Sequence, residues 1–194
     1  MGNKTYVLTS LSSVFLFVHL YAMTTVIGEL PAAYGIADTV FLNKMGMYME
    51  LFGIIGGILF SIVLTWYPKG LMFGEYVITI GMIISLAFFL LCNYLADRTL
   101  LCVGSSAIGF FLFPMIFVSF ELAVSQTVED GVGDTFSCGL INMLANLLGF
   151  TLTLSLTPLL NKETKGATGT VFIILFVNLA LGLVFLVLGS ISSK

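Results

Sequence analysis

Charge is scarce in this sequence: Lys, Arg, Asp and Glu together make up 9% of its 194 residues, against about 25% in a soluble globular domain. A chain so poor in charge cannot cover an ordinary water-facing surface. Lys and Arg form no run, and the net charge is only −3, which argues against nucleic acid or another strongly charged partner. Cysteine is limited to Cys92, Cys102 and Cys138. That odd number, spread through apolar stretches without a C-x-x-C pair, indicates neither a disulfide framework nor a zinc site, and buried apolar thiols fit better. Also missing are a phosphate-cradling Gly loop, a nucleophile with a base at readable spacing and a mid-span pair of carboxylates on one helix face. The chain reads as a non-enzyme without a metal or cofactor. No Ala-x-Ala site follows a short apolar segment, and Tyr6 stands where myristoylation needs Ser or Thr, so neither a cleaved signal nor that anchor is expected.

What is abundant is apolar length. Hydrophobic residues make up 59% of the chain, and the mean hydropathy is +1.13. A spanning helix needs about 20 mostly apolar residues to cross about 30 Å of hydrocarbon. Divided at its charge, Pro and Gly clusters, the chain yields six such segments near Tyr6–Glu29, Lys44–Trp66, Leu71–Leu95, Leu100–Gln126, Thr135–Leu159 and Thr168–Ile191. The expected fold is therefore an all-α integral membrane protein, a single bundle over residues 1–194 with lipid around it. Six crossings put both termini on one side. The positive-inside rule does not say which, because Lys4, Lys69 and Lys194 lie on the terminal side and Lys44, Arg98, Lys162 and Lys165 on the other.

Small and polar residues inside these segments are the candidates for packing and function. Gly46, Gly53, Gly56 and Gly57 give the second segment a small-residue face, with Gly53 and Gly57 at GxxxG spacing, a helix-packing pattern that serves contacts within one bundle or a dimer interface. Pro114 is expected to kink the fourth. Glu121 in the same segment, with Ser125 one turn on, reads either as a ligand or proton site facing a cavity or as a carboxyl satisfied by a neighbouring helix. Glu29, Glu50 and Glu75 are expected near helix ends, in reach of interfacial water. Asn142 and Asn146, four apart on the fifth segment, either line a polar path or hydrogen-bond across helices, and Asn178 reads as interhelical glue. Tyr21, Thr24, Thr25 and Gly28 share a face of the first segment. A Tyr ring there either offers its π-face to a cation or simply packs. His19 stands alone and is expected to be a hydrogen-bonded core histidine.

The run Gly109-Phe-Phe-Leu-Phe-Pro-Met-Ile-Phe-Val-Ser-Phe-Glu-Leu-Ala-Val124, followed by Ser137-Cys-Gly-Leu-Ile-Asn-Met-Leu-Ala-Asn-Leu-Leu-Gly149, resembles the tenth and eleventh helices of major facilitator transporters. Within that superfamily it is similar to the feline leukaemia virus subgroup C receptor family, whose order and spacing fit this chain as the C-terminal six of twelve helices. The resemblance implies a six-helix bundle with cytoplasmic or matrix-side termini, facing a cavity that a second bundle completes. It matches Tyr21 to a cavity-facing Tyr, Glu121 to the Phe-Glu carboxylate, and Asn146 to a cavity-lining Gln. It also implies ligands of the choline, amine or haem type. The departures are Thr65 in place of a gating Asp within Leu64-Thr65-Trp66-Tyr67-Pro68-Lys69, Ser125 in place of a second carboxylate, and a longer acidic turn through Glu129, Asp130 and Asp134.

Two functions fit these residues. One is a membrane-embedded accessory subunit derived from a transporter half, packing its former cavity face on other subunits; the altered gate and a Met1 start without a preceding half favour it. The other is a transporter of a small organic solute, formed as a homodimer or with a complementary half. The host membrane is not readable from the sequence, although the mitochondrial inner membrane would suit such a subunit.

Overall fold

The computed structural model describes residues 4–67, 70–127, 133–162 and 164–192. Lys69, Glu129, Asp130 and Lys194, singled out above, lie outside the described residues. The element order is α1 (Lys4–Val26), a 3-10 turn (Leu30–Tyr34), α2 (Thr39–Trp66), α3 (Leu71–Leu95), α4 (Arg98–Leu112), α5 (Pro114–Thr127), α6 (Asp134–Leu160) and α7 (Lys165–Ser192). No strand occurs among the described residues. With α4 and α5 counted as one span, the bundle has 6 helices long and apolar enough to cross a membrane.

Local chemistry accounts for several helix ends. Asp38 accepts from the N–H groups of Val40 (3.1 Å) and Phe41 (3.4 Å), so α2 begins at Thr39 rather than at Lys44. Asp97 does the same for Thr99 (2.7 Å) and Leu100 (3.1 Å) at the start of α4. Both satisfy helix donors that otherwise have no partner. Arg98 ties these two caps together, with Nη1 3.1 Å from Asp38 Oδ2. Gly35 closes the 3-10 turn at φ 86, a left-handed conformation that glycine adopts without steric cost.

The fourth span breaks at Phe113, because Pro114 has no N–H for the Phe110 carbonyl. That carbonyl is not left to lipid. A Cβ on Gly56 of α2 would collide with the Phe110 backbone oxygen, and one on Gly109 would collide with the Met49 backbone oxygen. The two glycines therefore bring α2 and α4 into backbone contact, close enough for Cα–H to carbonyl interactions. Gly53 packs beneath the Phe113 ring, and a Cβ on Gly57 would make ordinary contact with Phe117 at 3.5 Å.

Helix pairing follows an internal repeat. The main contacts are α2 with α4, α1 with α6 and α7, and α3 with α4 and α7. Exchanging the first three spans for the last three turns α2 against α4 into α6 against α1, and α3 against α4 into α7 against α1. The pairing of α3 with α7 maps onto itself. Three crossings per unit invert the second relative to the first, which is the inverted-topology arrangement of many transporters. Leu16, Met23, Ile78, Phe89 and Phe172 fill the core. Of the spans, α1 is the most buried, and α2 and α6 are the least.

Candidate functional site

Three of the residues singled out in the sequence form one linked group between α1 and α6. Tyr21 Oη donates to Asn142 Oδ1 at 3.2 Å. Asn146 Nδ2 donates to the same oxygen at 3.1 Å and to the Asn142 carbonyl at 2.7 Å. Asn142 Oδ1 thus accepts twice, and among the described residues Asn142 Nδ2 and Asn146 Oδ1 have no partner. Gly149 makes the group possible, since a Cβ there would come within 2.8 Å of the Tyr21 ring. One turn further along α1, Thr24 donates to the Leu20 carbonyl (3.0 Å) and Thr25 to that of Tyr21 (2.8 Å). A hydroxyl whose proton is spent on its own backbone offers only lone pairs outward. Thr24, Thr25, Asn142 and Asn146 are all exposed on the bundle surface, so the face offers the threonine lone pairs and Asn146 Oδ1 as acceptors, and the Asn142 amide N–H groups as donors, beside a Tyr ring.

Glu121 belongs to a different place. It is exposed on α5 and lines a cavity of about 420 Å³ with Phe60, Ser61, Leu64, Thr65, Leu71, Pro114, Phe117 and Val118. Glu121 lies six residues before the end of α5 at Thr127, about 9 Å from that end at 1.5 Å per residue. Tyr21 instead approaches the opposite end of its span at Val26. No hydrogen bond joins the two sites among the described residues. Ser125 turns its proton to the Leu122 carbonyl at 2.8 Å. Thr65 spends its own on the Ser61 carbonyl at 2.8 Å.

Three expectations change. Glu75 is not at an interface: it is 0% exposed, and Ser13 Oγ of α1 donates to its Oε1 at 3.0 Å. Helix packing has closed over a carboxyl that its place in the second turn of α3 put near water. Glu50 is exposed, but because α2 begins at Thr39 it stands about 16 Å along its helix rather than at an end. His19 is buried, yet its Nδ1 has no hydrogen-bond partner among the described residues. Asn178 does bridge helices, its Nδ2 donating to the Phe15 carbonyl at 2.8 Å. The signal for Glu75 was present in the sequence as Ile78, Thr79 and Met82, which continue its stripe at helical spacing and are all buried; only the serines on α1 and α5 reveal what that stripe faces.

No family model matches the chain. Among curated proteins it is 25% identical over 174 residues to the choline/ethanolamine transporter FLVCR1 of Mus terricolor. It is 23% identical over 171 residues to FLVCR1 of Mus musculus. Each match covers 88% of this chain, which spans about 30% of the length of these curated relatives. With six spans in two inverted triplets and similarity along most of its length to these transporters, the protein is a multi-pass membrane protein resembling a half-length major facilitator unit of the feline leukaemia virus subgroup C receptor type.

Proposed function

We propose that this chain forms one wall of a membrane path for a small organic cation, and that a second six-helix bundle, either another copy or a complementary half, supplies the other wall. The observation that carries the reading is where uncovered polar groups fall. Glu50 on α2 and Asn142 and Asn146 on α6 are exposed, and these are the two least buried spans. Lipid cannot satisfy such groups, so a protein surface or a water-filled path must. The outward lone pairs of Thr24, Thr25 and Asn146 around Tyr21 suit a cationic guest, which the π-face of a Tyr also attracts. The relatives are named as choline and ethanolamine transporters, and both compounds carry an ammonium group. Glu121 stands apart from this face, in its own cavity nearer the terminal end. Rocking of two bundles about a site between them is how this architecture alternates access.

The test is uptake of labelled choline and ethanolamine by liposomes containing the purified full chain, beside Tyr21→Ala and Asn142→Ala. Uptake above empty liposomes that falls in both variants supports a transporter made of two copies. Wild-type uptake no greater than that of empty liposomes overturns that arrangement.

One observation favours the accessory-subunit reading. Thr65, at the position of the gating Asp, directs its hydroxyl into its own helix and presents no charge to a partner loop. Asn146→Cys separates the readings. In a transporter, a membrane-impermeant maleimide labels it and choline protects it. In an accessory subunit it stays unlabelled and cross-links to another polypeptide.

A further inference from the structure

We infer that Glu75 is the seat of one exchangeable monovalent cation, a proton or a sodium ion, held inside the bundle where α1, α3 and α5 meet. The carboxyl is 0% exposed. Its Oε1 is met by Ser13 Oγ from α1 at 3.0 Å and by Ser119 Oγ from α5 at 3.5 Å, and its Oε2 has no partner among the described residues. Even the shorter contact is shared, because Ser13 Oγ also lies 3.1 Å from the Thr9 carbonyl and a hydroxyl has one proton to give. Thr79, one turn along α3, donates to the Glu75 backbone carbonyl at 2.7 Å and contributes nothing to the carboxyl. An ionised carboxylate has about four acceptor sites to fill, and this one has two neutral hydroxyls.

Among the described residues no counter-charge pairs with the carboxyl. The titratable groups on the elements packed around Glu75 include Lys4 and His19 on α1, Glu121 on α5 and Tyr67 just after α2; Lys4 opens α1 nine residues before Ser13, about 14 Å along the helix, while Arg98 on α4 and Lys165 on α7 start those helices at the far side of the membrane. None of them pairs with Glu75 among the described residues. A buried unpaired carboxylate is far costlier than a neutralised one. The missing charge is a single one: no group of three or more His, Cys, Asp or Glu that could hold a metal occurs among the described residues, and a divalent ion on one carboxylate would leave an excess positive charge. A proton would sit on Oε2. A sodium ion would take both carboxyl oxygens and the two serine oxygens, with the serine protons turned to backbone carbonyls.

A polar route leads to this site from the end of the bundle where α1 begins. Tyr6 Oη meets the Ser137 carbonyl at 3.5 Å, Ser137 Oγ and Thr127 Oγ1 are 3.0 Å apart, and Thr9 Oγ1 lies 2.5 Å from Gln126 Oε1. Thr9 is one turn from Ser13. Thr9, Thr127 and Ser137 are buried themselves, so the occupant would exchange with that side of the membrane along a closed line of polar contacts, and its departure leaves a bare carboxylate at the junction of three spans.

The test uses the full chain in lipid nanodiscs. Infrared difference spectra and thermal unfolding are recorded across pH at zero sodium, and across sodium concentration at fixed pH, for wild type and Glu75→Gln. For a proton, wild type shows a carboxylic-acid carbonyl band that Glu75→Gln lacks, and relative to that variant it loses thermal stability as pH rises. For sodium, wild type gains stability with added sodium and Glu75→Gln does not. A wild type whose band and melting temperature follow pH and sodium no differently from Glu75→Gln overturns the proposal. If Glu75→Gln does not fold, Ser13→Ala with Ser119→Ala keeps the carboxyl. Losing both hydroxyls should move the pH or sodium midpoint by about tenfold in cation concentration, and an unmoved midpoint overturns the proposal.

Discussion

At Asn178 one amide hydrogen bond can be weighed alone. Its Nδ2 bonds the Phe15 carbonyl across helices at 2.8 Å, and that carbonyl belongs to the interior of α1, so removing the amide strands no backbone group. Asn178→Leu is expected to cost about 1 kcal/mol, read as a lowered midpoint of unfolding in mixed detergent. Asp38 makes a different prediction. The Phe41 backbone N–H, with the Val40 N–H and the Arg98 guanidinium adding to it, holds the Asp38 carboxyl below the usual carboxylate range. A depressed carboxyl stabilises the fold above its unfolded value, and that stabilisation is lost as pH falls through the folded one. Wild type should therefore lose melting temperature in acid, and Asp38→Asn, which keeps the cap without the charge, should lose less.

At the scale of the element, the α2–α4 crossing is set by backbone rather than by side-chain shape. A methyl group at Gly56 or Gly109 meets a carbonyl oxygen of the opposing helix, which cannot rotate away, whereas one at Gly57 meets the Phe117 ring at 3.5 Å. Gly56→Ala and Gly109→Ala should each destabilise by about 1–3 kcal/mol, as overpacking does, and Gly57→Ala should be close to neutral. Thermal unfolding of the three variants in one detergent checks the order. The GxxxG pair read from the sequence was Gly53 and Gly57. Gly56 was legible as one of the four small residues on that face, but spacing alone could not rank it above the GxxxG pair, because its role depends on the carbonyl that Pro114 leaves without a donor on another span.

For the whole molecule, the inverted triplets fix the relation between the ends of the chain. Six crossings return the C-terminus to the side of the N-terminus, so tags at the two ends should be protected or digested together in sealed vesicles. Tags that behave oppositely would rule out this topology. The exposed apolar residues of α2, such as Ile54, Ile58 and Ile62, suit either lipid or protein. The exposed Glu50 and Asn146 suit only protein or water, and it is on this mixture at the two least buried spans that the proposed second bundle rests.

The number of spans, the break in the fourth and the all-helical character of the described residues follow from the sequence alone, because apolar length and the missing N–H of proline are local properties. Asn142 and Asn146 could be placed on one face of α6 for the same reason, since helical spacing is local too. Tertiary structure alone decided that Tyr21 joins them while Glu121 lies in a separate cavity nearer the terminal end, because depth and neighbours depend on how the spans are staggered. It also decided that Glu75 is enclosed. Position along a helix says how far a carboxyl stands from the helix end, but only the packing of α1 and α5 against α3 says whether water reaches it.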